Sequence, residues 1–152
     1  MPSRHRIRLM RQRDLDAILL VEHTSFGKDA YDRKLFAEYS HTCGGLFLIA
    51  EGGPTRRRRI CGYSLTCTRG DRAELVSIAV DPSSRGQGIA SSLLESTLRR
   101  LRRRNVERLS LMVRVTNVAA RRFYEKYGFQ KGRIVRGYYE DGTDGVAMRK
   151  LL

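Results

Sequence analysis

The apolar run Leu75-Val76-Ser77-Ile78-Ala79-Val80 is broken by Asp81-Pro82-Ser83-Ser84 and followed by Arg85-Gly86-Gln87-Gly88-Ile89-Ala90. From there Ile89, Leu93, Leu94, Leu98 and Leu101 recur at helical spacing, so a buried strand feeds an amphipathic helix through a glycine-rich turn. No other stretch constrains the chain as strongly. The first N–H groups of a helix have no intrahelical partner and lie at the positive end of its dipole. Gly86, Gln87 and Gly88 therefore present backbone donors to an anion such as a phosphate. The lysine followed by Ser or Thr of a nucleoside-triphosphate loop is missing, and so is the third glycine of a dinucleotide fingerprint.

Around this unit the segments alternate between strand and helix, which predicts an α+β layer fold about a single sheet. Ile7 to Leu9 reads as a first strand, Asp14 to Glu22 as a helix, and Asp32 to Tyr39 as a second, shorter helix. Strands are predicted at Leu46 to Glu51 and Ile60 to Thr68, joined by Gly52-Gly53-Pro54-Thr55 and the basic run Arg56 to Arg59. Glu74 to Val80 and Leu109 to Val115 flank the main helix, Gly88 to Arg104. A further helix over Asn117 to Tyr127 stops at Gly128, and Gln130 to Arg136 pairs with Val146 to Leu151 across Asp141-Gly142. Residues 1–152 read as one domain, without repeat or linker.

A formal charge of +14 favours polyanionic partners such as RNA, ribosomes or a phosphorylated cofactor. Cys43, Cys61 and Cys67 form no C-x-x-C pair and have no histidine at zinc spacing, so they are expected to be reduced thiols, and no metal site is expected. No apolar run has the length of a membrane span, and the start of the chain lacks the apolar stretch of a secretory signal. The expected location is the cytoplasm.

The turn resembles the [RQ]-x-x-G-x-[GA] signature of the GNAT acyltransferases, with Arg85, Gly88 and Ala90 at the matching positions. Asn117-Val118-Ala119-Ala120-Arg121-Arg122-Phe123-Tyr124-Glu125-Lys126-Tyr127-Gly128-Phe129 is similar to a second signature of that family, N-x-x-A-x-x-[FL]-Y-x-x-x-G-F. Within the family, Ser77 to Pro82, Val113 to Asn117 and Gly137 to Gly142 are most similar to the RimI-type N-terminal protein acetyltransferases. The resemblance implies a mixed, mostly antiparallel sheet flanked by helices, with central strands splayed at an acetyl-CoA site. It implies that residues Arg85, Gly86, Gln87, Gly88, Ile89 and Ala90 hold the pyrophosphate. A β-bulge at Ile78, Ala79 and Val80 would bind the pantetheine arm and polarise the thioester, and Asn117 and Ala120 would contact the CoA arm.

Acetyl transfer to an amine requires a neutral amine, stabilisation of an oxyanion and a proton for the departing thiolate. Tyr124 matches the family tyrosine beside the CoA sulfur, and a phenol with a reference pKa of about 10 keeps its proton at neutral pH. Read without the family, it is a core tyrosine beside Ala120 and Tyr127. RimI-type enzymes carry a glutamate base where this chain has Met112, a thioether that accepts no proton. Glu74 matches the strand glutamate that acts through water in another branch of the family, and its alternative is an exposed carboxylate at a strand start. An α-amine titrates about 2.5 units below a lysine, so Met112 favours an N-terminal amine. The resemblance places Tyr138 and Tyr139 on one wall of the acceptor groove and Glu22, Phe26 and Tyr31 on the other.

The expected activity is acetyl-CoA-dependent acetylation of a protein N-terminus by direct attack in a ternary complex. A GNAT acting on a small amine or a lysine shares the same CoA residues. A non-catalytic basic platform for RNA or the ribosome is the reading from charge alone.

Overall fold

The computed structural model describes residues 5–42, 46–53 and 58–152. Seven strands form one sheet: β1 (Arg6–Leu9), β2 (Leu46–Gly52), β3 (Arg59–Arg69), β4 (Arg72–Val80), β5 (Arg108–Arg114), β6 (Gln130–Val135) and β7 (Gly145–Leu151). Their order is β1-β2-β3-β4-β5-β7-β6, and every neighbouring pair is antiparallel except β4 with β5. The helices are α1 (Leu15–Phe26), α2 (Arg33–Thr42), α3 (Ile89–Arg103) and α4 (Val118–Lys126). This is the three-layer arrangement expected from the alternating pattern.

The sheet buries both faces where helices cover it, and β2 shows why. Leu46, Leu48 and Ala50 join the core beneath α3 and α4, while Phe47 and Ile49 join the one beneath α1 and α2. A strand alternates its side chains, so a continuous apolar run is what a strand covered on both sides requires. In α3, Ile89, Leu93, Leu94, Leu98 and Leu101 are buried, and Arg99, Arg102 and Arg103 stay exposed on the opposite face. Arginines in that last turn complement the helix dipole.

Most predicted elements lie within two residues of the observed ones. The larger difference is α1, which continues to Phe26 instead of ending at Glu22. The Thr24 hydroxyl donates back to the Leu20 carbonyl at 2.8 Å, and the helix runs on to Gly27. Gly27 has φ +53°, which ends it. That extra turn carries Phe26 toward the functional site.

Arg8 on β1 fixes where α1 begins. Its guanidinium donates to both oxygens of Asp14 at 2.8 and 2.9 Å and to Glu51 on β2 at 2.7 Å. Burial alone would raise the Asp14 pKa, but the hydrogen bonds from Arg8 and the Arg11 backbone outweigh it and the net shift is downward. Two ion pairs that share Arg8, nearly out of solvent, tie the start of α1 to β1 and β2.

The cysteines depart from expectation. Cys61 is the free, buried thiol expected, but Cys67 is disulfide-bonded. Pairing depends on tertiary proximity, which the spacing of cysteines in the chain does not report. In the Arg56 to Arg59 run, Arg56 and Arg57 lie outside the described residues, whereas Arg58 and Arg59 are exposed.

Candidate active site

The site begins as a failure of strand pairing. β4 and β5 pair in parallel only where Arg72, Ala73 and Glu74 meet Arg108, Leu109 and Ser110. Past that point they diverge and leave a cleft of about 250 Å³ through the sheet. One wall is Glu74 to Ile78, the other Leu111 to Arg114, with Asn117, Ala120 and Tyr124 on the α4 side and Glu22, Phe26, Tyr31, Tyr138 and Tyr139 on the α1 side.

A bulge in β4 drives the divergence. Leu65 on β3 is opposite Ser77, yet the next residue, Thr66, is opposite Leu75, so Val76 is the extra residue. The bulge therefore lies at Val76 and Ser77, ahead of the Ile78 to Val80 position expected from the family. Of those three residues, Ile78 lines the cleft. Ala79 is buried beneath α1, and the Val80 carbonyl accepts from Arg85 Nε at 3.3 Å, so both lie between the cleft and the glycine turn.

At that turn, Gly86 and Gly88 have φ +79° and +76°, in the left-handed region open to glycine. Gly88 occupies the N-cap of α3, and no side chain caps the helix there. Among the described residues the N–H groups of Gly86, Gln87 and Gly88 donate to no backbone carbonyl. Ile89 is buried in the core and anchors the turn, while Arg85, Gly86, Gln87 and Gly88 are exposed and Ala90 is half-buried. These are the features a pyrophosphate requires: free donors, a positive helix end and no side chain in the way.

Tyr124 is buried at 8% exposure, and burial pushes its hydroxyl pKa well above the usual phenol value. Among the described residues its hydroxyl forms no hydrogen bond, so the proton points to no protein acceptor. Asn117 caps α4 by accepting from the Ala120 N–H at 3.1 Å, which fixes the strand-to-helix turn beside Tyr124.

Across the cleft, Glu74 is exposed and shares a face with Ser110 and Met112, toward α1 and α2. Tyr31 lies nearby; burial foremost, then the field of Tyr39, Tyr138, Glu22 and Glu74, raises its pKa to about 12. Tyr138 is 50% exposed and stacks edge-on against Tyr139 at 5.0 Å. Phe26 sits at the rim. The residues expected to flank an acceptor are thus brought together.

Glu22 behaves differently from the open wall residue it was expected to be. It is 1% exposed, and its carboxylate accepts from the Tyr63 hydroxyl, from the Ser77 hydroxyl at 2.9 Å and from the Tyr31 N–H at 2.9 Å. Burial raises its pKa. Its oxygens are taken up in holding α1, the bulge and the Tyr31 segment together.

Sequence reasoning missed this network, and also Arg114. Arg114 donates to both oxygens of Asp141 at 3.0 and 3.1 Å and lies 4.1 Å from the Tyr139 ring centre. It holds the β6–β7 connection over the cleft, and Lys28 approaches Asp141 at 3.7 Å from the other wall. The only signal in the sequence was the position of Arg114 inside the Val113 to Asn117 motif. Among the described residues there is no cluster able to hold a metal ion.

The chain matches the acetyltransferase (GNAT) family over residues 12–129. It is 31% identical to an N-alpha-acetyltransferase of Sulfurisphaera tokodaii, over 95% of this chain and 91% of that protein. The structure of the ribosomal-protein-S18-alanine N-acetyltransferase from Escherichia coli is similar at a TM-score of 0.83 and 30% identity, covering 97% of this chain and 93% of that one. Ard1 from Thermoplasma volcanium is similar at a TM-score of 0.90 and 25% identity, covering 97% of each chain.

Proposed function

Because the chain belongs to the GNAT family of acetyl-CoA-dependent N-acetyltransferases, we propose that its acceptor is the N-terminal α-amine of a protein, of the ribosomal-protein type, carried on an RNA-containing assembly. The observation that carries this reading is the cleft between β4 and β5, which opens on both faces of the sheet. Acetyl-CoA would enter from the α3 and α4 side, with its pyrophosphate on Arg85 to Ala90. The polypeptide would enter from the other side, between Phe26 and Tyr31 on one wall and Tyr138 and Tyr139 on the other. Relatives that act on ribosomal protein S18 or on α-amines support this acceptor class. The whole chain acts as one domain.

In this mechanism the neutral amine attacks the thioester carbonyl, a C–N bond forms and the C–S bond breaks. The amine proton leaves through water to Glu74. Tyr124 would donate its hydroxyl proton to the departing thiolate, and burial keeps the phenol protonated at physiological pH until then. Backbone groups from the Val76 and Ser77 bulge to Ile78 are free of regular pairing with β5 and would polarise the carbonyl. Met112 supplies no base, which suits an acceptor already partly neutral at physiological pH.

Among the described residues no helix is long and apolar enough to cross a membrane. We place the enzyme in the cytoplasm, where acetyl-CoA and nascent protein N-termini meet. The test is acceptor profiling with acetyl-CoA against peptides with free α-amines, peptides whose only amine is a lysine, and small amines. Transfer to α-amines is expected. Transfer confined to small amines would refute the proposed acceptor.

A further inference from the structure

The face of the sheet that carries Glu74 extends beyond the helices that cover it. α1 packs on β3 and β4, while β5, β7 and β6 continue past it. Arg69, Arg72 and Arg108 are level with one another across β3, β4 and β5. One row further, Glu74 is level with Ser110 and Ser110 with Arg149. Residues opposite each other in a ladder share a face, so these arginines form a field that begins beside Glu74. Arg72, Arg108, Arg133 and Arg149 surround a shallow depression floored by Ser110, Gly132 and Ala147.

Like charges directly opposite on neighbouring strands repel. Here Arg69, Arg72 and Arg108 stand in one row, and among the described residues neither they nor Arg133 and Arg149 form an ion pair. A field of uncompensated guanidiniums is relieved by an external polyanion. Its chemistry favours phosphate. Of the chain's 30 cationic residues 25 are arginine, the side chain whose planar fork matches phosphate oxygens in pairs. The small floor residues leave no apolar pocket to read peptide side chains, but they suit the repeated charge of a sugar–phosphate backbone.

We propose that the open sheet face bearing Arg72, Arg108, Arg133 and Arg149 binds the sugar–phosphate backbone of RNA and so holds a nucleoprotein acceptor beside the cleft. This rests on the reading of an acceptor carried by an RNA-containing assembly. Glu74 lies one row from the first arginines, about 7 Å along β4 at strand rise, so the RNA and the reacting amine would be neighbours.

The test is fluorescence-anisotropy titration of the full chain with a labelled RNA hairpin across a salt series, in parallel with acetyl transfer to a short free peptide. Replacing Arg72, Arg108, Arg133 and Arg149 by Gln should weaken RNA binding at least about tenfold and reduce the slope of log affinity against log salt by roughly three. Transfer to the free peptide should stay at the wild-type level. If the fourfold variant does not fold, the exposed pair Arg72→Gln and Arg149→Gln carries the test with about half the change in slope. A matched Arg99, Arg102 and Arg103→Gln variant on α3 should retain most of the RNA affinity. The proposal is overturned if wild type does not bind the hairpin, if the α3 variant loses the binding while the sheet variant keeps it, or if polyglutamate binds as tightly as RNA. Wild type that binds RNA but transfers no acetyl group to any α-amine peptide would refute the acceptor reading and leave this surface standing.

Discussion

The Ser77 hydroxyl, at the bulge that opens the cleft, donates to the Glu22 carboxylate of α1 at 2.9 Å. The strand bulge and the α1 wall of the cleft are thus one hydrogen-bonded unit, completed by Tyr63 and the Tyr31 N–H. Glu22→Ala leaves these buried donors without their acceptor and should cost about 2–4 kcal/mol, read from urea unfolding. Glu22→Gln keeps the shape and removes the charge. Because burial raises the folded pKa above the ordinary 4.5, the wild-type contribution is fully present below that value and is lost as pH rises through the folded pKa. The stability of Glu22→Gln relative to wild type should therefore increase with pH above about 4.5. A difference that does not change with pH would show that burial does not raise the Glu22 pKa in the folded protein.

Tyr124→Phe removes a hydroxyl that no described residue accepts from and leaves the ring packed on Phe123 and Phe129. Folding stability and CoA affinity should stay nearly unchanged while the single-turnover rate falls about a hundredfold or more. A wild-type rate would take Tyr124 out of the chemistry.

Glu74 and Met112 face the same side of the sheet on the strands that diverge. If Glu74 takes the proton through water, Glu74→Gln should depress kcat/KM most at low pH and progressively less as the acceptor amine deprotonates in solution. Met112→Glu, placing a carboxylate on the other strand, should raise activity toward lysine peptides more than toward α-amines, because lysine has the smaller neutral fraction. An unaltered pH profile in Glu74→Gln would exclude this base.

Gly88 illustrates a site where space and backbone conformation give different answers. A Cβ there would meet nothing within 4 Å, but φ is +76°. Gly88→Val should cost about 1–2 kcal/mol at the turn and weaken CoA binding roughly tenfold by calorimetry, by pulling the free N–H groups out of line. Asn enters the left-handed region more readily, so Gly88→Asn should retain most of the affinity. Equal affinity in Gly88→Val and wild type would dissociate this turn from CoA.

Local chemistry was legible in the chain. The run from Leu75 to Val80, the turn at Gly86 and Gly88 and the periodic leucines of α3 carry their own instructions: apolar alternation selects a strand, glycine selects positive φ, and an apolar stripe selects a helix packed on that strand. Asn117 likewise declared a helix start, and the observed cap confirms it. These signals depend on residues close in sequence. They were enough to predict the layer order and the turn with free N–H donors.

Other features depended on pairings between distant residues. The bulge at Val76 and Ser77 rather than at Ile78 to Val80 is set by how β4 aligns with β3, a register that no composition of β4 alone encodes. Glu22 reads as one acidic residue on a helix face, and only the approach of Tyr63 and Ser77, far along the chain, turns it into a buried, saturated carboxylate. Cys67 becomes a disulfide partner, and Arg72, Arg108 and Arg149 become one surface, for the same reason. Sequence by itself determined the elements and the glycine turn before α3, because those are local consequences of side-chain shape and backbone preference. Only the tertiary structure decided which side chains are neutralised, which remain available and which stand together, because burial and charge pairing are properties of neighbours in space.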